Sequence, residues 1–250
     1  MNFSDISLKI RVVSDIHLER YETFDFNNII EINTSDILCL AGDIGDPFSE
    51  LYKNFIEWCS LNFFQVLIVT GNHEYYNSSI ERSNKKIKDL TSIYCNVIFL
   101  NNTSYVINNK IFVGTTLWSY IPENCKEIIT ARINDYRFIE DFTTEKCNQL
   151  HEESIAYIKY IIERYKGFYK IIILSHHSPL LINTSKAKLE LLDTNYAFSS
   201  DQGELMNDNI DAWIYGHTHY NNNNNYFYNR KTAIISNQFV EKYNKNFYFM

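Results

Sequence analysis

In the first half of the chain, apolar residues come in short unbroken blocks with polar stretches between them. Residues 8–14, 37–41 and 66–70 are three such blocks, rich in Val and Ile. Runs of this length predict strands buried on both faces. Between the second and third, Phe48, Leu51, Tyr52, Phe55 and Cys59 recur at helical spacing with Pro47 just ahead, which predicts a helix. Residues 78–90 read as a more polar helix. Strands alternating with helices imply a parallel sheet with helices packed against it.

The pattern changes after residue 96. Residues 97–100, 105–107 and 111–114 read as short strands, the last two joined by a tight turn at Asn108-Asn109. Residues 116–143 have no clear period and contain Arg132 and Arg137. Residues 146–165 carry the strongest helical stripe, with Cys147, Leu150, Ser154, Ile158, Ile161, Ile162 and Tyr165 on one face. His151 lies on or beside that face and reads as a surface or core-edge residue. Residues 171–174 and 212–215 are two further buried strands. A closing hairpin runs from 226–228 to 233–236 around Asn229-Arg230, and the Asn run at 221–225 reads as a loop tip. There is no internal repeat and no shift in composition, so residues 1–250 are taken as a single domain.

A domain of 250 residues buries roughly 70–75% of its unfolded surface and needs no covalent staple. The net charge of -7 works against non-specific nucleic-acid binding, which depends on Lys and Arg neutralising phosphates. The 19 Tyr and 17 Phe beside only 7 Gly and 3 Pro look like the bias of an AT-rich genome, which weakens any argument from aromatic content. The five cysteines form no Cys-x-x-Cys pair and are odd in number, so each reads as a small buried apolar residue in a reducing compartment. In the start, Met-Asn-Phe-Ser-Asp, no signal peptide is readable, and no apolar stretch nears the ~18 residues of a membrane span. A cytoplasmic location and no membrane partner are expected.

Chemistry enters where the strands stop. Six of the 7 histidines fall in four clusters at strand ends: Asp15-Ile16-His17, Gly71-Asn72-His73-Glu74, Ser175-His176-His177 and Gly216-His217-Thr218-His219. Gly42-Asp43 ends another strand. Ligand groups collect beyond the carboxyl ends of strands in α/β sheets, so these five loops should converge on one polar site. Asp-x-His puts a carboxylate and an imidazole on one side of an extended segment, and His217-x-His219 repeats the device. Asp43 is the natural bridge between two cations, and Asn72 adds a neutral oxygen. With no thiolate among the clusters, Mn, Fe, Zn, Co and Ni all suit the donor set.

These five motifs, in order over residues 15–219, resemble the signature of the calcineurin-like metallophosphoesterase superfamily. The resemblance implies an α/β fold, a four-layer α/β/β/α sandwich of two mixed β-sheets flanked by helices. It implies two divalent metal ions, Mn2+ first among them. One would be held by Asp15, His17, Asp43 and His219, and the other by Asp43, Asn72, His176 and His217. A hydroxide bridging them would attack phosphorus in line, with His73 donating to the phosphoryl or leaving oxygen and Glu74 orienting His73 or a neighbouring loop. His73, Asp43 and Asn72 are thus the catalytic candidates. In the family's His-His-x-Pro form the first histidine is the ligand, which leaves His177 as a substrate neighbour or a packed loop residue. Arg132, Arg137 and Tyr75 are further candidates for the substrate cleft.

Departures from the family narrow the expectation. No Asp-Arg pair follows Gly42-Asp43, unlike the protein phosphatases, and Asp46 stands where purple acid phosphatases carry a tyrosinate ligand. The reading is a metal-dependent phosphoric ester hydrolase acting on a small-molecule phosphate ester. A phosphodiester such as a cyclic nucleotide or nucleotide derivative is favoured. The alternatives are a phosphomonoesterase, a nuclease acting on nucleic acid, and a silent metal-binding module. Oligomeric state is not readable. Specificity is expected from residues 116–143 and 178–203.

Overall fold

A computed structural model describes residues 8–206, 210–222, 226–229 and 231–250. The Met-Asn-Phe-Ser-Asp start, residues 223–225 of the Asn run and Arg230 of the predicted hairpin turn lie outside the described residues. The strands are β1 (Ile10–Val13), β2 (Asn33–Ala41), β3 (Phe63–Val69), β4 (Val97–Phe99), β5 (Thr103–Ile107), β6 (Lys110–Thr115), β7 (Lys170–Ser175), β8 (Ala212–Ile214), β9 (Tyr226–Tyr228), β10 (Thr232–Ile235) and β11 (Tyr248–Phe249). The α-helices are α1 (Glu50–Asn62), α2 (Ile80–Thr91), α3 (Lys126–Arg132), α4 (Asp135–Phe138), α5 (Thr144–Tyr165) and α6 (Ala187–Glu190).

They form two mixed sheets, ordered β11-β1-β2-β3-β4 and β5-β6-β7-β8-β10-β9. Strands β1 to β4 are parallel, as are β6, β7, β8 and β10; β11, β5 and β9 pair antiparallel at the margins. The apolar runs are unbroken because both faces of each sheet are covered. On β2, Ile37, Cys39 and Ala41 pack with Phe112, Ile172 and Leu174 of the other sheet. Leu38 and Leu40 turn outward onto Tyr52, Phe55 and Ile56 of α1. On β7, Ile172 and Leu174 face inward, while Ile171 and Ile173 meet Ile158 and Ile161 of α5. The layers are therefore helices, sheet, sheet, helix.

The structure moves several boundaries. Ser49 caps α1 by accepting from the Tyr52 N–H, so the helix starts after Phe48, which is left exposed. Residues 116–143 fold into α3 and α4, whose side chains, with Trp118, Ile121 and Phe142, build a small core of their own against Tyr75 and Cys147. Helices this short show no period. Strand β11 was not legible either, because a two-residue strand is too short for alternation to register. Arg11 is one of two charges in the first apolar block, with Lys9. Arg11 is buried at the outer face of β1, where Nε donates to Asp36 at 2.6 Å and a second nitrogen pairs with Glu31 at 3.1 Å. Cys95 is exposed, which corrects its reading as a buried residue, whereas Cys39, Cys59, Cys125 and Cys147 are buried and free. No helix among the described residues is long and apolar enough to cross a membrane.

Candidate metal centre

The clusters gather beyond the C-terminal ends of β1, β2, β3, β7 and β8. The backbone reaches the site in an unusual way. Asp15, His17, Asp43, His217 and His219 all have left-handed backbone, with φ of 57, 55, 52, 71 and 49°. The extended-segment argument for Asp15-x-His17 and His217-x-His219 is therefore wrong. Left-handed kinks, each costing about 1 kcal/mol or more, aim these side chains. The loops are tied together by Asp15 N–H to Gly42 O and His17 N–H to Asp43 O, both 3.0 Å. Gly71 allows the third loop to close on the second, since a Cβ there would stand 2.1 Å from Asp43 Oδ1.

Two groups of donors result. Asp15, His17, Asp43 and His219 offer ligand atoms within 4.8 Å of one another, as do Asp43, His176 and His217. Asn72 Oδ1 lies 3.3 Å from His176 Nε2 and so belongs beside the second group. Asp43 is common to both. Its Oδ2 is 3.7 Å from His17 Nε2, and its Oδ1 is 3.4 Å from His176 Nε2. His17 and His219 face each other through Nε2 atoms 3.1 Å apart, and His176 Nε2 meets His217 Nδ1 at 3.1 Å. Donors each ~2.1 Å from one cation stand about 3.0–3.4 Å apart, so both groups have the spacing of a metal cage. The hydrogen bonds behind them agree. His176 Nδ1–H donates to Ala41 O at 2.7 Å, and His17 Nδ1–H to Glu19 Oε1 at 2.9 Å, which leaves both Nε2 lone pairs bare toward the centre.

Charge in the protein alone reflects the two carboxylates. Burial pushes the Asp43 carboxyl up, but His176, His73 and His17 override it and hold it well below the usual range. Burial pulls His176 down, but Asp43 wins and lifts it to about 9. The hydrogen bond to Asp15 raises His219. Carboxylates placed to hold cations here draw protons onto their neighbours instead. Burial, the largest cause, holds His217 well below the usual imidazole range, which favours the neutral form that metal binding requires.

Two contributors, Glu19 and Asp135, escaped the sequence reading. Glu19 Oε1 accepts from both His17 Nδ1 and His73 Nδ1 at 2.9 Å. Its signal was the alternation Asp15-x-His17-x-Glu19, which runs one step past the motif. Asp135, buried at the start of α4, accepts from Asn72 Nδ2 and Tyr76 OH, each at 2.7 Å, and so turns the Asn72 oxygen toward His176. Tyr76 also stacks on His73, centroids 4.2 Å apart. Glu74 ties loops rather than orienting His73: its carboxylate accepts from the N–H groups of Gly71, Asp43 and Ile44 at 2.8, 3.0 and 2.8 Å. Burial, then Asp43, raises its pKa to about 7.

The substrate candidates divide. Arg132 lines the cleft over the centre with Asp43, Asn72, His73, Asp135, Phe198 and His219. Arg137 does not; it donates to Ala131 O at 2.7 Å on the outer surface. Tyr75 is buried, its hydroxyl 2.6 Å from Thr70 Oγ1, and packs beside Trp118. His177 is fully buried behind His217, stacked at 4.1 Å with Nδ1 on Ser119 Oγ, so it supports a ligand ring and does not reach the cleft. His151 is buried against Trp118 O, at the core edge. His73 stands beside the centre with part of its ring exposed.

Comparisons with known proteins bear on the family and the fold. The family model described as calcineurin-like phosphoesterase matches residues 8–221. An uncharacterized protein of Acanthamoeba polyphaga mimivirus is 33% identical over 262 residues, covering 95% of this chain and 92% of that one. The crystal structure of phosphopantetheinyl hydrolase from Mycobacterium tuberculosis superposes with a TM-score of 0.66 at 15% identity, covering 91% of this chain and 88% of the other.

Proposed function

Because the chain belongs to the calcineurin-like phosphoesterase family, we propose that it hydrolyses a small phosphodiester with two divalent ions, Mn2+ first among the candidates. The observation that carries the reading is Asp43, one buried carboxylate shared by two donor groups. Asp15, His17, Asp43 and His219 would hold one ion, and Asp43, Asn72, His176 and His217 the other. Bound there, two cations supply an acidified water and neutralise charge that builds on phosphoryl oxygens.

The chain's own residues do the rest. Asp135 keeps the Asn72 oxygen turned inward. His73, held by Glu19 and stacked on Tyr76, is placed beside the centre to donate a proton to a phosphoryl or departing oxygen. Burial opposes its charge, but Asp43 and Glu19 raise its pKa, which favours the protonated form. Arg132 is the one Lys or Arg among the described residues lining the cleft, which favours a singly charged diester over a dianionic monoester.

The test is to strip the protein of metal, restore Mn2+ and compare bis-p-nitrophenyl phosphate with p-nitrophenyl phosphate. Turnover of the diester is expected to exceed that of the monoester. No turnover of either with any divalent ion would sink the reading, as would activity that survives Asn72→Ala and His73→Ala combined.

A further inference from the structure

Beside the cleft over the metal centre lies a second cavity of about 290 Å³, between the end of α3 and the loop preceding residue 199. Arg132, Ile133, Phe198 and Thr218 line both spaces, so the two adjoin. Beyond that shared wall the cavity is lined by Leu189, Thr194, Asn195 and Ser185 and is mostly apolar. A dry cavity of roughly 150 Å³ suffices for benzene, so this one has room for a substituted or fused aromatic ring.

Resting on the phosphoesterase reading, we infer that this cavity holds the uncharged aromatic limb of the ester. Arg132 sits at the junction, within reach of the phosphoryl group in one space and the ring in the other. Ile133, Leu189 and Phe198 provide the apolar walls. Phe198 is itself fixed by stacking on the His217 ring at 4.9 Å, so one ring borders both cavity and centre. Substrate class is then set by the patternless segments, while the histidine clusters set the reaction.

Phosphonates test this without turnover, because their P–C bond is not cleaved. In the Mn2+-loaded protein, calorimetry should show phenylphosphonate binding about tenfold or more tighter than methylphosphonate, the gain expected from burying a ring. Thr194→Trp, which fills the cavity from its rim, should bring that ratio close to one and leave methylphosphonate binding unchanged. Equal affinity for the two probes in the unaltered protein would overturn the inference. So would an aromatic preference that persists in Thr194→Trp, or failure of both probes to bind. An aromatic preference lost in Thr194→Trp, in a protein that turns over no diester, would support the cavity assignment while removing the hydrolase reading.

Discussion

The two halves of the centre use similar donors in different surroundings. Around His176, His217 and Asn72 every donor is buried, and His177, Asp135 and the Ala41 carbonyl fix the rings and the amide from behind. Around Asp15, His17 and His219 the shell is thinner: the His219 side chain is 43% exposed, and the carboxylate behind His17, Glu19, is 28% exposed. Asp43 joins them. Enclosed donors in fixed tautomers lose little freedom on binding and release an ion slowly, whereas an exposed imidazole swings away at low cost. The buried half should act as the anchor and the open half as the exchangeable position.

The largest effect should follow from removing what the halves share. Asp43→Asn leaves an amide where both donor groups need a carboxylate. Several kcal/mol are at stake, so phosphoesterase activity should drop on the order of a thousandfold while the fold persists by circular dichroism. Metal analysis should find fewer than two ions retained. Next come the halves taken separately. Chelator should strip the Mn2+-loaded protein in two phases, and His219→Ala should retain the slow phase only. His217→Ala should lose the slow phase. The opposite assignment of phases would break the comparison.

Proton linkage gives a third test, on protein free of metal. His176 titrates near 9 in the folded chain against ~6.5 when unfolded. Between those values the folded state holds a proton that the unfolded state has lost. Stability is therefore greatest below ~6.5 and falls as pH rises through 9, by about 3 kcal/mol. Glu74, raised to about 7, acts in the same direction over the window from ~4.5 to 7. Bound ions need the bare Nε2, so metal affinity should rise over the range in which metal-free stability falls. Thermal melts at pH 7 and 9, with and without Mn2+, check both signs. A flat metal-free profile would mean that His176 and Asp43 are not coupled.

How much could be seen in advance follows the same division of surroundings. The parallel strands were legible because Leu38, Leu40, Val66 and Ile68 pack outward while Cys39, Ala41, Leu67 and Val69 pack inward, and two covered faces leave an unbroken apolar run. The clusters at the strand ends were legible because six of the 7 histidines gather in four of them, each where a hydrophobic run stops. Their backbone was not: nothing in Asp15-x-His17 distinguishes a kinked from an extended path. Nor was Asp135, since a carboxylate that acts through Asn72 from 63 residues away carries no local pattern. His177 and Tyr75 looked like cleft residues from adjacency to motifs, but a neighbour in sequence on a tight loop turns to the opposite side.

The supporting groups give the smallest effect and the sharpest contrast between the halves. Asp135→Ala frees the Asn72 amide in the buried half, and Glu19→Ala frees His17 and His73 in the open half. Loss of such partners costs about ten- to a hundredfold in affinity or rate. Asp135→Ala should speed the slow phase of ion release and leave the fast phase alone. Glu19→Ala should do the reverse. It should also shift the alkaline limb of the rate profile to lower pH, because a carboxylate that raises His73 has gone. If both variants altered the same phase, the centre would behave as one unit, and the distinction between anchor and exchangeable position would fail even with Asp43 indispensable.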